Sequence, residues 1–261
     1  MLLYYAATLI YSLHRLSIMK VAVVSNVHGN LKALATAFGE IEKMKESGKD
    51  IEKIVVIGIF GYMPYPREVH KMLANASNVL CVRGRIDHLI AKWSDMSDEE
   101  KEDFRAEEPF IAKIVEWNWE AMGREARKWL RNDVPALLFE KFGDNEFAFS
   151  YGKPFNIHAD VLPKMPLSYY ESIMASIKKY EMLVVAGYEP FLAETVYGKV
   201  VCPGGLIHRK GVKPSFAVID TASLDVSFHE FDYARKEVED RLREVKPPEL
   251  ERLVDILYHG V

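Results

Sequence analysis

Residues 19–34 read MKVAVVSNVHGNLKAL, from Met19 to Leu34. Val21 to Val24 are uninterrupted apolar residues of strand length, as expected for a parallel strand covered on both faces. A polar turn, Ser25 to Asn30, follows, and then Leu31, Leu34, Ala35, Phe38, Ile41 and Met44 recur at helical spacing. Asn30 is a fitting N-cap for that helix. The strand–turn–helix pattern recurs downstream: KIVVIG reads as a strand, Pro66 opens a short helix through Leu73, and NVLCVRG reads as a third strand. Three strands alternating with two helices imply right-handed crossovers, with the loops that start at Ser25, Gly58 and Arg83 converging on one edge. A ligand site is expected there, with Asn26 and His28 at its mouth.

Composition narrows the alternatives. The 261 residues are 49% hydrophobic and 28% charged, enough to bury a full core and far from a disordered composition. The formal charge of −4 gives no basic footprint, so no nucleic-acid partner is expected. Cys81 and Cys202 end apolar runs and read as buried free thiols, in keeping with a reducing cytoplasm. The chain contains no glutamine, in line with the depletion of thermolabile amides in proteins from hot environments. Residues 1–18 are apolar but short for a bilayer span and lack a basic leader, so they are read as an extension, a possible mis-assigned start upstream of Met19, with no membrane anchor expected.

Residues 19–261 read as one domain. A charged helical insert is expected over residues 91–135, carrying Phe104, Phe110, Ile114, Trp117, Trp119 and Trp129 on its apolar faces. ALLFEKF and EFAFSY around a Gly-Asp-Asn turn predict a hairpin. A helix from about Ser168 to Tyr180, strands in MLVVAG, KVVCPGG, SFAVIDTA and DVSFHEF, and C-terminal helices over 233–259 complete the pattern.

Taken in order, the loops SNVHGNLKAL, GIFGYMPYPREV, VRGRIDHL, FSYGKP, VVAGYEPF and VCPGGL resemble those of the calcineurin-like metallophosphoesterases, in particular the small prokaryotic phosphodiesterase branch, over most of residues 19–230. The resemblance implies a four-layer α/β/β/α sandwich and a two-metal site that drives attack of a bridging hydroxide on phosphorus. Most of the ligands it would require are absent. Asn26 stands for the first Asp, no acid follows Gly58, Arg85 and Ile86 replace an Asn and a His, Tyr151 replaces the fourth-loop His, and Tyr188 the first His of the fifth loop. Pro190, or a gap, takes the place of the second fifth-loop His. Only His28 survives of the ligands, while Asp87 matches a supporting acid.

One imidazole, one amide and phenols are a poor donor set for hard divalent cations, and Arg85 would repel them. The expectation is therefore a protein with no catalytic residues and no cofactor, whose degenerate loops (Asn26, His28, Arg85, Asp87, Tyr151, Tyr188, Glu189) bind an anionic small molecule or a partner, with Arg85 offering a bidentate guanidinium. The bland reading of Arg85 is a buried pair with Asp87 or Glu189; of the tyrosines, including Tyr62, that they fill volume left by metals and histidines. His158, His208, Glu194 and Asp160 are further candidates for a relocated ligand. Two other functions stay open: a phosphoesterase with one Mn, Fe, Ni or Zn ion held by His28 and Asn26, and an assembly protein, oligomeric or not, that docks through its insert.

Overall fold

The computed structural model describes residues 19–207 and 209–261. The N-terminal extension and His208 lie outside the described residues.

Strands β1 (Lys20–Ser25), β2 (Ile51–Ile57) and β3 (Val79–Val82) run parallel, linked by helices α1 (Leu31–Glu46) and α2 (Pro66–Ala74). Two antiparallel strands, β9 (Ser215–Asp220) and β10 (Val226–Glu230), extend this sheet on the β1 side, giving the order β10-β9-β1-β2-β3. A second five-stranded sheet has the order β4-β5-β6-β8-β7, built from β4 (Leu137–Phe142), β5 (Asn145–Ser150), β6 (Met182–Val185), β7 (Pro190–Thr195) and β8 (Gly198–Pro203). β5, β6 and β8 are parallel, and the predicted β4/β5 hairpin turns on Gly143, whose φ of +63° suits a tight turn. β7 lies where the sequence pattern indicated only a loop, and it pairs antiparallel with β8.

Strand periodicity explains the layering. Val21 and Val23 of β1, and Val55 and Ile57 of β2, point between the sheets, where they meet Phe147, Phe149, Met182, Val184 and Val201. Their alternates, Ala22, Val24, Ile54 and Val56, face the outer helices. On the second sheet the alternates Ala148, Leu183, Val185, Val200 and Cys202 pack under α6 (Leu167–Ala175), through Tyr170, Ile173 and Met174. Each fully buried aliphatic of this kind contributes about 1.5–3 kcal/mol. The result is the four-layer α/β/β/α sandwich. Burial pushes the thiols of Cys81 and Cys202 up to about 12, and both cysteines are free.

After β3 come α3 (Arg85–Lys92), α4 (Asp98–Glu107) and α5 (Pro109–Asn132). Ser97 caps α4 in a reciprocal box with Glu100. α5 is interrupted at Gly123, which has φ +82°. Its Ile114, Val115, Met122, Ala126 and Leu130 join the outer core, and so do the tryptophans Trp119 and Trp129. α7 (Arg235–Val245) and α8 (Leu250–His259) close that layer. Among the described residues no helix is long and apolar enough to cross a membrane.

Candidate functional site

The loops after β1, β2, β3, β5, β6 and β8 meet at one edge of the sandwich. The two sheets are stitched there by backbone: Leu206 N–H donates to the Ser25 carbonyl at 2.9 Å and Ile207 N–H to the Asn26 carbonyl at 3.0 Å. Ser25 Oγ donates to the Gly204 carbonyl at 2.6 Å.

The first loop is wound tightly. Asn26 and His28 both have φ +50°, uncommon for residues with a side chain. Gly29 has φ +74°, and a Cβ there would fall 2.6 Å from the Met63 carbonyl oxygen, so glycine is required. Asn30 caps α1 as expected, its Oδ1 accepting from Ala33 N–H at 3.1 Å while its Nδ2 donates to Tyr233 Oη at 2.9 Å. This winding turns Asn26 and His28 inward, where they are 1% and 3% exposed.

Among the described residues, Asn26 Oδ1 and both ring nitrogens of His28 make no hydrogen bond of good geometry, although the Phe60 backbone lies close enough to the imidazole to interact with it. The His28 ring stacks on Tyr62, with centroids 4.4 Å apart and planes 15° apart, and lies parallel to Tyr188 at 6.4 Å. Burial lowers its pKa to about 3, offset only in part by the Phe60 backbone, so the imidazole is neutral.

Asp87 is a staple. Its carboxylate accepts from Ile59 N–H at 2.8 Å, Phe60 N–H at 2.7 Å and Gly84 N–H at 2.7 Å. The last bond is the reach-back of an N3 acid to the N-cap of α3. Burial pushes its pKa up to about 6 against the pull of those amides and of Arg83. The second and third loops are thereby fixed to each other, with both carboxylate oxygens engaged by backbone amides.

Arg85, expected at the centre of the site, stands at its edge, where its charge partly offsets the burial-raised phenol pKa of Tyr62 and Tyr188. Its guanidinium pairs with Glu108, in the insert, and not with Asp87 or Glu189. Glu189 pairs with Lys164 at 2.5 Å, and Glu194 with Lys199 at 3.0 Å. The centre is held by Tyr151. A Cβ on Gly58 would come within 3.0 Å of its ring, and one on Gly84 within 2.9 Å of both its ring and the Gly58 Cα. The ring therefore lies flush on two glycines beside Asn26, and the same Gly58 position is 3.5 Å from Asn26 Oδ1. The hydroxyls of Tyr62, Tyr188 and Tyr151 interact in sequence, and burial raises the phenol pKa of all three.

Manganese, iron, nickel or zinc, the metals the resemblance implies, do not suit this donor set. Two neutral donors, Asn26 Oδ1 and His28, face protonated phenols, while the nearby carboxylate is engaged by three amides. Among the described residues no group of three or more His, Cys, Asp or Glu side chains is placed to hold a metal ion. A cavity of about 100 Å3 remains between the loops, lined by Asn26, Tyr151, Asp160, Tyr188, Glu189 and Arg209.

Sequence reasoning missed two contributors. Glu108 pairs with Arg85 at the edge of the site, and Asn118, fully buried on α5, donates to the Gly61 carbonyl at 2.7 Å and ties the insert to the second loop. Asn118 carried a signal, a polar residue within the apolar stripe of Ile114 and Met122; Glu108 carried none.

No protein-family model and no curated protein matches the chain. Among solved structures, the crystal structure of the hypothetical protein PH1004 from Pyrococcus horikoshii OT3 is 42% identical, over 93% of this chain and 99% of that one, with a TM-score of 0.83. A metallophosphoesterase from Sphaerobacter thermophilus is 19% identical over 93% and 99% of the two chains, with a TM-score of 0.69, a likeness of fold. The chain therefore belongs to one family with PH1004, and its two-sheet sandwich shares the fold of the Sphaerobacter metallophosphoesterase.

Proposed function

We propose that this phosphoesterase-family chain has exchanged its metal centre for aromatic packing and that its residual cleft binds a small molecule without hydrolysing it. The observation that carries the reading is Tyr151, whose ring is seated on Gly58 and Gly84 in the middle of the converging loops. Neither His28, which is neutral and enclosed, nor Asp87, which is engaged by amides, is placed as a general acid.

The ligand expected from the sequence was anionic, on the strength of Arg85. Arg85 is paired with Glu108 and does not line the cavity, whose wall carries the acceptor Asn26 Oδ1, the carboxyl group of Asp160 and Glu189, itself paired with Lys164, alongside Arg209. That lining favours a ligand rich in N–H or O–H groups. The two free cysteines accord with a cytoplasmic setting.

One observation favours a second reading. The unpartnered Asn26 Oδ1 and His28 nitrogens could serve a single metal ion, and hydrolysis would then persist. Elemental analysis of protein expressed in medium supplemented with manganese, iron, nickel and zinc, combined with turnover of bis-p-nitrophenyl phosphate, separates the two. The proposal expects substoichiometric metal and no turnover; stoichiometric metal with turnover overturns it.

A further inference from the structure

Tyr151 also walls a second cavity, of about 280 Å3, between α3, the start of β4 and the loop that follows β5. Its polar lining comprises His88, His158, Lys153, Asn156 and Ser150, each able to donate a hydrogen bond, with no carboxylate among the lining residues described. The His88 and His158 rings meet edge to face with centroids 6.3 Å apart, which brings both imidazoles to the same wall of the cavity. His88 Nδ1 is buried without a hydrogen-bond partner. Asn156 Oδ1 already accepts from His158 N–H at 3.1 Å, which leaves its amide N–H groups to donate. Ser150 is committed, its hydroxyl donating to the Gly152 carbonyl at 2.6 Å.

The surroundings are cationic. Burial first, then Lys92, Arg83 and His158, lower the His88 pKa to about 4. The acid nearest in sequence, Asp87, is spent on backbone amides. An anion entering here meets the Lys153 ammonium, which otherwise lies over the Tyr169 ring at 4.9 Å, and the unpartnered edge of the neutral His88 ring.

The cavity is also preformed and two-sided. Lys153 N–H donates to the Ala159 carbonyl at 2.7 Å, Asn156 N–H to the Lys153 carbonyl at 3.0 Å, and Ala159 N–H to the Asn156 carbonyl at 3.2 Å, so the loop is knitted to itself. Leu137 and Ile157 supply an apolar surface. At the lip stands Phe155, 75% exposed and at φ +66°, a conformation an aromatic residue adopts at a cost.

We propose that this cavity binds a tetrahedral oxyanion, held by His88, His158, Lys153 and Asn156, and that a flat apolar group attached to that oxyanion lies against Phe155. The class is a phosphate monoester of modest size. This proposal is independent of the reading of the neighbouring cleft, because none of these four donors lines it.

The test is isothermal titration calorimetry of the full chain with phenyl phosphate and with inorganic phosphate, on wild type and on His158→Gln, Lys153→Ala and Phe155→Ala. All three sites are at the surface of the loop, and a thermal melt confirms that each variant folds. Saturable phenyl phosphate binding is expected, weakened about tenfold by either polar substitution, as for loss of one charge-assisted bond. Inorganic phosphate binds more weakly than phenyl phosphate in wild type, and Phe155→Ala abolishes that difference. No saturable heat with either probe, or phenyl phosphate binding unchanged in both His158→Gln and Lys153→Ala, overturns the proposal.

Discussion

Replacing Tyr151 by alanine removes the ring that occupies the meeting point of the loops. A tyrosine of this kind buries about 150–250 Å2, worth about 4–6 kcal/mol at about 25 cal/mol per Å2. The residue keeps a partly exposed edge on the cleft, and core aromatic-to-alanine changes cost about 3–5 kcal/mol, so a loss of about 3 kcal/mol is expected. Collapse cannot heal the gap cheaply, because the surfaces beneath the ring are the backbones of Gly58, whose N–H donates to the Val82 carbonyl at 3.0 Å, and Gly84, whose N–H donates to Asp87 at 2.7 Å. For a chain of this size that loss lowers the Tm by roughly 6–12 °C. Urea unfolding and calorimetry measure it. The vacated volume also has the shape of a phenol, so p-cresol should raise the Tm of the variant and not of wild type, as ligands do when they fill engineered cavities. A loss below about 1 kcal/mol, within the range of ordinary surface substitutions and small repackings, together with no effect of p-cresol, would refute the claim that Tyr151 is a packed wedge.

Three further outcomes follow from the same geometry. His28, with its pKa depressed from 6.5 to about 3, contributes stability that is present above pH 6.5 and lost as pH falls toward 3, about 5 kcal/mol over that window; pH-dependent melts should show a smaller acid slope in His28→Phe than in wild type, and equal slopes would count against the buried neutral imidazole. Asn30→Ala removes the cap of α1 and the bond to Tyr233, and should cost about 1–2 kcal/mol in urea unfolding. The Arg85–Glu108 pair is about a third exposed on each side, so a double-mutant cycle with alanine at both positions should give a coupling of at most about 1 kcal/mol; a much larger value would mean that Arg85 is anchored inside the site.

The parts of this molecule that local pattern controls were legible in the sequence. The Val21–Val24 run had to be a two-faced strand because each alternate residue meets a different core. Asn30 had to start a helix because only a side chain can satisfy its first amides. The order of the loops followed from the same reading, and with it the place of the site. What stayed hidden depends on side chains that meet across long sequence separations. Arg85 is claimed by Glu108 through a turn of the insert that no periodicity marks. Likewise, Tyr151 could be seen as a replacement for a histidine, but whether its ring would point into the site or away from it depends on the missing Cβ atoms of Gly58 and Gly84. β7 escaped because Pro190 and the alternation of PFLAET fit an edge strand as well as a loop, and pairing with β8 decides between them.

The most direct test of the account is a crystal of the full chain soaked in manganese, with anomalous scattering recorded at the meeting point of the loops. The account predicts the Tyr151 ring against Gly58 and Gly84 and no manganese peak beside Asn26 and His28. A manganese ion coordinated by Asn26 Oδ1 and a His28 nitrogen, with the Tyr151 ring displaced, would contradict it.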